Sequence, residues 1–591
     1  MQIRKQDTSS VALWLVAAGL AHAAGSATNS APPQRTMPEI IQQYEADYQS
    51  LTHTYSVLIS PSRRDRMEKF DRDELAALAA IDFDALSQAD KVDYQLLKYR
   101  LAGNLHQLEI RKKQIDEMQP LLPFADTIIQ LLDNQRLMKK PDPEKDAAAL
   151  TQMVKDMKAA REKLAPKDHG SDPASSGKPA VSPVVASRAL TATQQLSKQL
   201  DEWYAQYNGY DPLFTWWVDQ PYSDAKKELA SYADFLKEKL IGIAPDDKTT
   251  IIGDPVGREA LTKELADNLI PYTPEELIAI AQTEYDWCMR EMLKASREMG
   301  FGDDWHAAVE KVKSMHVAPG DQPELIRKLV IEGADFAKDH QLVTVPPLAD
   351  ETWRMIMMTP ERQLVNPFFT GGDEISVSYP TDTMTFDQRE MSMRGNNIPF
   401  AHATAFHEMI PGHFLQAYMA DRYHTYRRIF ETPFWVEGNA FWWEMLFWDK
   451  GFDQTPEERV GALVWRMHRS ARVLFTMNFH LGRWTPQQCV QFLIDNVGFE
   501  RDNATAEVRR SFDGSVGPLY QCAYLLGALQ FRALHTELVD SKKMTDQQFH
   551  DAILHESYMP IELLRADLEN IQLTRDFQTS WKFYGDHPTH P

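Results

Sequence analysis

Cysteine is scarce. Three occur in 591 residues, Cys288, Cys489 and Cys522, far apart and odd in number. They form neither a CxxC metal pair nor a disulfide framework, so stability must come from a packed core. Basic residues are also short: 63 Lys and Arg stand against 85 Asp and Glu, a formal net charge of −22. So acidic a surface repels phosphate backbones and anionic headgroups, which removes nucleic acid from the candidate partners and speaks against membrane insertion. Long apolar runs are missing, so no segment is read as crossing a ~30 Å hydrocarbon core. Gly253-Asp254-Pro255-Val256-Gly257 lacks the Lys-Ser/Thr of a phosphate loop, and no Gly-x-Ser-x-Gly elbow occurs, so P-loop and serine-elbow chemistry are set aside. What is present, 43% hydrophobic and 25% charged residues, is ordinary globular usage.

The first residues read as an address. Arg4 and Lys5 precede a short apolar stretch, Val11 to Leu20, and Ala21-His22-Ala23 is a small-residue cleavage site. Residues 1–23 are therefore expected to be a signal peptide, with a buried N-terminal helix as the alternative. The mature protein would be exported, periplasmic or secreted. No cysteine stands near the cleavage point, which speaks against a lipid anchor. Residues 24–37 read as a disordered leader, 38–165 as an N-terminal helical region, 166–186 (Pro-, Gly- and Ser-rich) as a loop or linker, and 187–591 as the catalytic region. Leucines at three- and four-residue steps, such as Leu97, Leu101 and Leu105, mark helices. Strand signals are confined to Gln341–Val345 and Ile375–Tyr379. The expected fold is mostly α with one small β-sheet near the middle of the chain.

The chemistry concentrates in Ala405-Phe406-His407-Glu408-Met409-Ile410-Pro411-Gly412-His413. A zinc hydrolase needs neutral imidazoles to hold the ion and a nearby carboxylate to take a proton from water. In H-E-x-x-H the two histidines share one helix face. Here the second lies six residues on, about 240° around an ideal helix. Pro411 removes an N–H and Gly412 tolerates unusual dihedrals, so together they would open the helix and swing His413 back toward His407. Glu437, 24 residues after His413, and Glu444, two turns further, sit among Trp435, Phe441, Trp442, Trp443 and Phe447. Carboxylates there are costly to bury unless paired or metal-bound; the alternative is the solvated stripe of an amphipathic helix.

His-Glu-x-x-Pro-Gly-His followed by Glu-Gly-x-Ala-x-x-x-Glu resembles the bacterial domain of unknown function 885 family. That family is grouped with zincin-like metallopeptidases and is similar in layout to carboxypeptidase Taq and thimet oligopeptidase. The likeness takes in Val256-Gly257-Arg258-Glu259, Arg469-Ser470-Ala471-Arg472 with His480, and Pro518 with Tyr524-Leu525-Leu526-Gly527. It implies a helical gluzincin-like body holding Zn2+ on His407, His413 and Glu437, with Glu408 as the catalytic carboxylate and Glu444 behind the ligands. His480 and Tyr524 match positions that would donate to a developing oxyanion, and Arg472 one that would hold a substrate carboxylate. The chain departs from the pattern at Phe414, Asn439 and Thr476.

The sequence reading is thus an exported zinc peptidase acting on peptides or small amides. Its alternatives are a non-catalytic helical binding or scaffold protein with a vestigial motif, and a metal hydrolase of another amide or ester. Tyr379 would end a strand beside the active-site helix that pairs with an extended peptide, or else an ordinary sheet edge. His402, His424 and His468 are read as structural.

Overall fold

The computed structural model describes residues 35–165, 181–247, 250–363 and 368–585. The segment expected to be a signal peptide, nearly all of the expected leader and residues 166–180 of the expected linker lie outside the described residues. The chain is mostly α. Its helices start where chemistry places them: Pro stands in the first turn of many, after a Thr, Ser, Asp or Asn whose side chain often accepts a first-turn N–H. The helix Pro183–Tyr207 begins inside the span read as a loop, because Ser182 and Pro183 already supply such a start.

Helices on both sides of residues 166–180 share one core. Ala125–Arg136, Pro143–Leu164, Pro183–Tyr207 and Pro212–Phe235 pack Ile128, Leu150, Met153, Leu196, Trp203, Phe214 and Tyr232 together as a satellite bundle. The expected division between 38–165 and 187–591 therefore runs through a single packed unit. The earlier helices Met37–Thr54 and Gln88–Met118 contribute Ile41, Leu97 and Leu101 to the main core, which also holds the motif region.

Four helices position that region: Ile398–Glu408, Pro433–Asp449, Pro456–His480 and Tyr520–His535. Pro433–Asp449 buries Phe434, Trp435, Phe441, Trp442, Trp443 and Phe447, so it is apolar nearly all round and belongs at the centre of a large body. Burial of each such ring stabilises by about 1.5–3 kcal/mol. This helix crosses Tyr520–His535 at paired glycines. A Cβ on Gly527 would lie 2.0 Å from the Phe434 carbonyl oxygen, and one on Gly438 2.5 Å from the Gly527 Cα. Only side-chain-free residues permit that approach.

The sheet is smaller than expected and has a different partner. Met355–Met357 pairs in parallel with Ile375–Val377, Met355 opposite Ile375 and Met357 opposite Val377. Gln341–Val345 forms no strand. Its backbone is taken by side chains: the Thr344 N–H donates to Asp551 (2.8 Å), and the Leu342 carbonyl meets His550 Nδ1 (2.9 Å). On its other side Ile375–Val377 meets Thr370, which exchanges two hydrogen bonds with Ser376 (3.0 and 2.8 Å). Both sides of Ile375–Val377 are thus occupied. Among the described residues no helix is long and apolar enough to cross a membrane.

Candidate metal centre

His407 stands on the last turn of Ile398–Glu408, a helix capped by Asn397, whose side chain accepts the Phe400 N–H (2.9 Å). The helix stops at Glu408, the Ile410–Pro411 peptide is cis, and a new helix starts at His413. The Gly412 N–H donates to the Phe406 carbonyl (3.0 Å), and a Cβ on Gly412 would sit 1.7 Å from the His407 carbonyl oxygen. This turn, expected from Pro411 and Gly412, folds the chain back. The two imidazole rings lie 4.9 Å apart between centroids and perpendicular, at 90°.

Each ring has one nitrogen engaged and the other aimed inward. His407 Nδ1 lies 2.6 Å from Glu444 Oε1, and Glu444 is also bound by Arg469 (3.1 Å). His413 Nδ1 faces Gln416 Oε1 at 3.3 Å, and Gln416 is fixed by donating to Asn439 (2.9 Å) and to the Val436 carbonyl (3.1 Å). With Nδ1 as the donor in both rings, Nε2 carries the lone pair, the arrangement that outer partners impose on metal-binding histidines.

The two Nε2 atoms meet at Glu437. Its Oε2 lies 3.2 Å from His413 Nε2 and 3.6 Å from His407 Nε2. Ligands about 2.0–2.1 Å from a tetrahedral ion stand roughly 3.3 Å apart, so these spacings suit one shared cation. Apart from the imidazoles, no donor among the described residues reaches this buried oxygen. The other oxygen, Oε1, accepts from the Tyr520 and Tyr524 hydroxyls, the latter at 2.7 Å. Glu408 also offers an oxygen within 4.8 Å of both histidines. Its Oε2, however, accepts the Gly371 N–H. Glu437, with an oxygen left to the imidazoles, is the better placed ligand; Glu408 stands beside them with one oxygen held by Gly371.

Charge supports the same partition. Burial opposes a charge on His407, but Glu437 and Glu444 outweigh it and raise its pKa to about 9. Burial would likewise raise Glu437, yet His413 and His407 hold it well below the usual carboxylate range. Next to the imidazoles Glu408, Glu437 and Glu444 stand against Arg469, while Arg472 and Arg510 share Glu507 further along the cavity, so the imidazole end calls for further positive charges. Protonated imidazoles or one divalent ion supply them; the borderline-soft donor set of two imidazoles and a carboxylate fits the ion.

The pair opens on a cavity of about 210 Å³, lined also by Phe368–Gly371, Phe400, Trp465, Arg469, Arg472, Glu507, Arg510, Tyr520 and Tyr524. Arg472 reaches it, with Nε bonded to Glu507 Oε1 (2.7 Å). Three expected residues do not line it: Glu444, which lies behind His407 as expected, and His480 and Tyr379. His480 is buried against Phe479 and Phe512, takes the Val256 N–H at 3.4 Å, and is held neutral by burial, its pKa lowered to about 4. Tyr379 lies past the end of its strand and donates its N–H to Gln363 (3.0 Å); the segment beside Glu408 is instead Thr370-Gly371. Tyr524 is present, but its hydroxyl is spent on Glu437. His402, His424 and His468 each face an acid, Asp453, Glu556 and Glu507, at 3.3 to 3.5 Å. Sequence reasoning missed Tyr520, although it stands one turn before Tyr524 on the same face; it also missed Gln416, Glu507 and Arg510, which carry no motif.

Comparison with known proteins places the chain. The family described as "Bacterial protein of unknown function (DUF885)" matches residues 26–568, and the chain belongs to it. A solved structure from Shewanella oneidensis, described as a candidate lipoprotein of unknown function, shares the fold at TM-score 0.67 and 17% identity, covering 91% of this chain and 100% of that one. A candidate lipoprotein from Colwellia psychrerythraea aligns at TM-score 0.56 and 16% identity, covering 90% and 98%. No curated protein matches the chain.

Proposed function

We propose that this DUF885 chain is an exported, zinc-dependent hydrolase of peptide or small amide bonds. One observation carries the reading: two imidazole Nε2 atoms lie 3.2 and 3.6 Å from a single buried oxygen of Glu437 that has no other partner among the described residues. Bound by His407, His413 and Glu437, zinc would supply an acidified water and positive charge for the carbonyl oxygen.

The chain's own residues do the rest. Tyr520 and Tyr524 fix Glu437 Oε1, so that Oε2 keeps its aim, and Glu444 and Gln416 fix the imidazole planes. Glu408, steadied by the Gly371 N–H, takes a proton from the attacking water and returns it to the departing amine nitrogen. The aromatic wall of Phe368, Phe400 and Trp465 keeps bulk water from the reacting carbonyl. Export rests on the leader pattern of residues 1–23 and accords with fold neighbours described as candidate lipoproteins. Removal of the leader would leave the protein in a periplasm or outside the cell.

Metal content measured together with hydrolysis of a mixed peptide library, with and without chelator, tests this. About one zinc per chain and chelator-sensitive cleavage are expected. A Glu408→Gln variant should keep its zinc and lose roughly 10²- to 10⁴-fold in kcat. A chain that purifies without zinc and ignores chelator would instead be the helical binding or scaffold protein.

A further inference from the structure

The satellite bundle ends in an apolar tip that nothing in the chain covers. Ala125–Arg136 and Pro183–Tyr207 finish at this end, and Pro143–Leu164 and Pro212–Phe235 begin there. Gln135 donates to Gln206, and Lys139, Lys140 and Lys145 share one hollow with Trp203 and Tyr207, whose ring meets Phe214 at 5.1 Å. On the turns that close this end, and on the first two turns of Pro212–Phe235, stand Leu137, Met138, Tyr210, Leu213, Trp216 and Trp217. They are six of the 13 large apolar side chains that are exposed among the described residues. The three most exposed of all are here: Met138 at 91%, Tyr210 at 85% and Trp216 at 81%. Met138 even takes the left-handed backbone position that ends Ala125–Arg136 (φ 53°), where glycine is the low-cost residue. Its side chain gives the core nothing in return.

The chemistry of these side chains narrows the occupant. Groups so exposed project singly and outline no groove, so a peptide or a small ligand finds nothing to enter. Leu137, Met138 and Leu213 offer a sugar no hydrogen bond. A phospholipid interface takes the whole mixture: Trp and Tyr rings settle at headgroup level, and aliphatic side chains reach the acyl boundary. Lys139 and Lys140 follow Met138, both exposed and in no ion pair among the described residues. Their stems lie along apolar surface while their ammonium groups reach lipid phosphates. The neighbouring acids are engaged, Asp142 with Lys145 (2.7 Å) and Asp211 with the Leu213 N–H (3.0 Å). We infer that this end of the bundle is a membrane-contact surface that seats the protein on a phospholipid interface without spanning it. With a formal net charge of −22, the rest of the surface has no matching attraction for lipid phosphates, which confines the contact to this end. The tip belongs to the satellite core and the motif region to the main one, so the inference stands apart from the metal reading.

The test floats the full mature chain with phosphatidylcholine vesicles through a density gradient, over a range of lipid concentrations. The parent should rise with the vesicles. Met138→Ser, Tyr210→Ser and Trp216→Ser combined should lower its partition coefficient roughly 10-fold or more. Leu348→Ser with Phe386→Ser, at exposed apolar positions outside the bundle, should leave it unchanged. All five side chains are exposed, so circular dichroism of both variants should match the parent. A parent that stays below the vesicles, or a triple variant that floats as well as the parent, overturns the inference. Sedimentation velocity without lipid reads the other occupant: a parent dimer that the triple variant dissolves would make the tip a contact between two copies and overturn it equally.

Discussion

Two histidine pairs flank the helix Pro433–Asp449, and they differ in which nitrogens are spent. On one side are His407 and His413, 4.9 Å apart; on the other are His535 and His550, 6.2 Å apart. His550 is fully used: Nε2 accepts from Trp442 Nε1 (2.9 Å), and Nδ1 meets the Asp546 and Leu342 carbonyls (2.8 and 2.9 Å). His535 Nε2 lies 2.8 Å from Asp546 Oδ1. That cluster ties the helix ending at His535 to the segment around Asp546. In the His407 cluster only Nδ1 is engaged, and both Nε2 atoms turn to one unshared oxygen beside a cavity. Proximity of histidines and acids is therefore common to both clusters; what distinguishes them is the set of lone pairs left over. The electrostatics follow. Burial lowers the pKa of His550, while acids raise that of His407 to about 9.

The comparison breaks first on the metal. His413→Ala should reduce zinc from about one per chain to none measurable by elemental analysis. His550→Ala should leave zinc unchanged and cost about 1–3 kcal/mol of stability in a denaturant titration, because Trp442 Nε1 loses its buried acceptor. If both variants lose zinc, the two clusters are not distinct in kind.

A gentler probe sharpens it. Glu444→Gln removes the acid behind His407 without touching a ligand, and competition with a chromophoric chelator should show roughly 10- to 100-fold weaker zinc binding. Asp546→Asn, the counterpart behind His535, should leave zinc affinity unchanged.

The smallest effect is on pH. His468 and His480 are held neutral, with pKa values near 3 and 4, below the ordinary 6.5. Below about pH 6.5 the unfolded chain takes up protons that these folded sites refuse, so stability falls as pH drops through that value toward 4. Each buried neutral histidine should cost about 1 kcal/mol between pH 7 and 5.5. The depressed carboxylates Glu437, Glu444 and Glu507 act in the same sense at lower pH. Urea unfolding at pH 7 and 5.5, repeated on His480→Gln, reads one such contribution; an unchanged slope in that variant would remove His480 from the account.

Much of the candidate metal centre is legible in the sequence because its residues contradict their surroundings. Glu437 and Glu444 stand in a run of tryptophans where a carboxylate has no solvent to turn to, and Pro411-Gly412 can only interrupt a helix. The opposite wall is not legible. Glu507 and Arg510 lie on Arg501–Phe512, a helix whose charged residues read as an ordinary solvated face until its approach to Arg472 buries Glu507 and partly covers Arg510. The oxyanion role expected of Tyr524 depends on which way a hydroxyl points, and spacing does not encode that. The sheet shows the same limit in reverse. Gln341–Val345 has the composition of a strand, but Asp551 and His550, more than 200 residues away, take its backbone groups.

The glycine crossing of Gly438 and Gly527 sets the centre's tolerance from behind. Neither residue has a side chain with which to do chemistry, yet their contact decides how near Tyr520 and Tyr524 stand to Glu437. A single methyl at either position would wedge the two helices apart and carry the acid away from the imidazoles with every ligand still in the sequence. A relative could thus keep the whole donor set and still fall silent through a change at a position that no inventory of active-site residues contains.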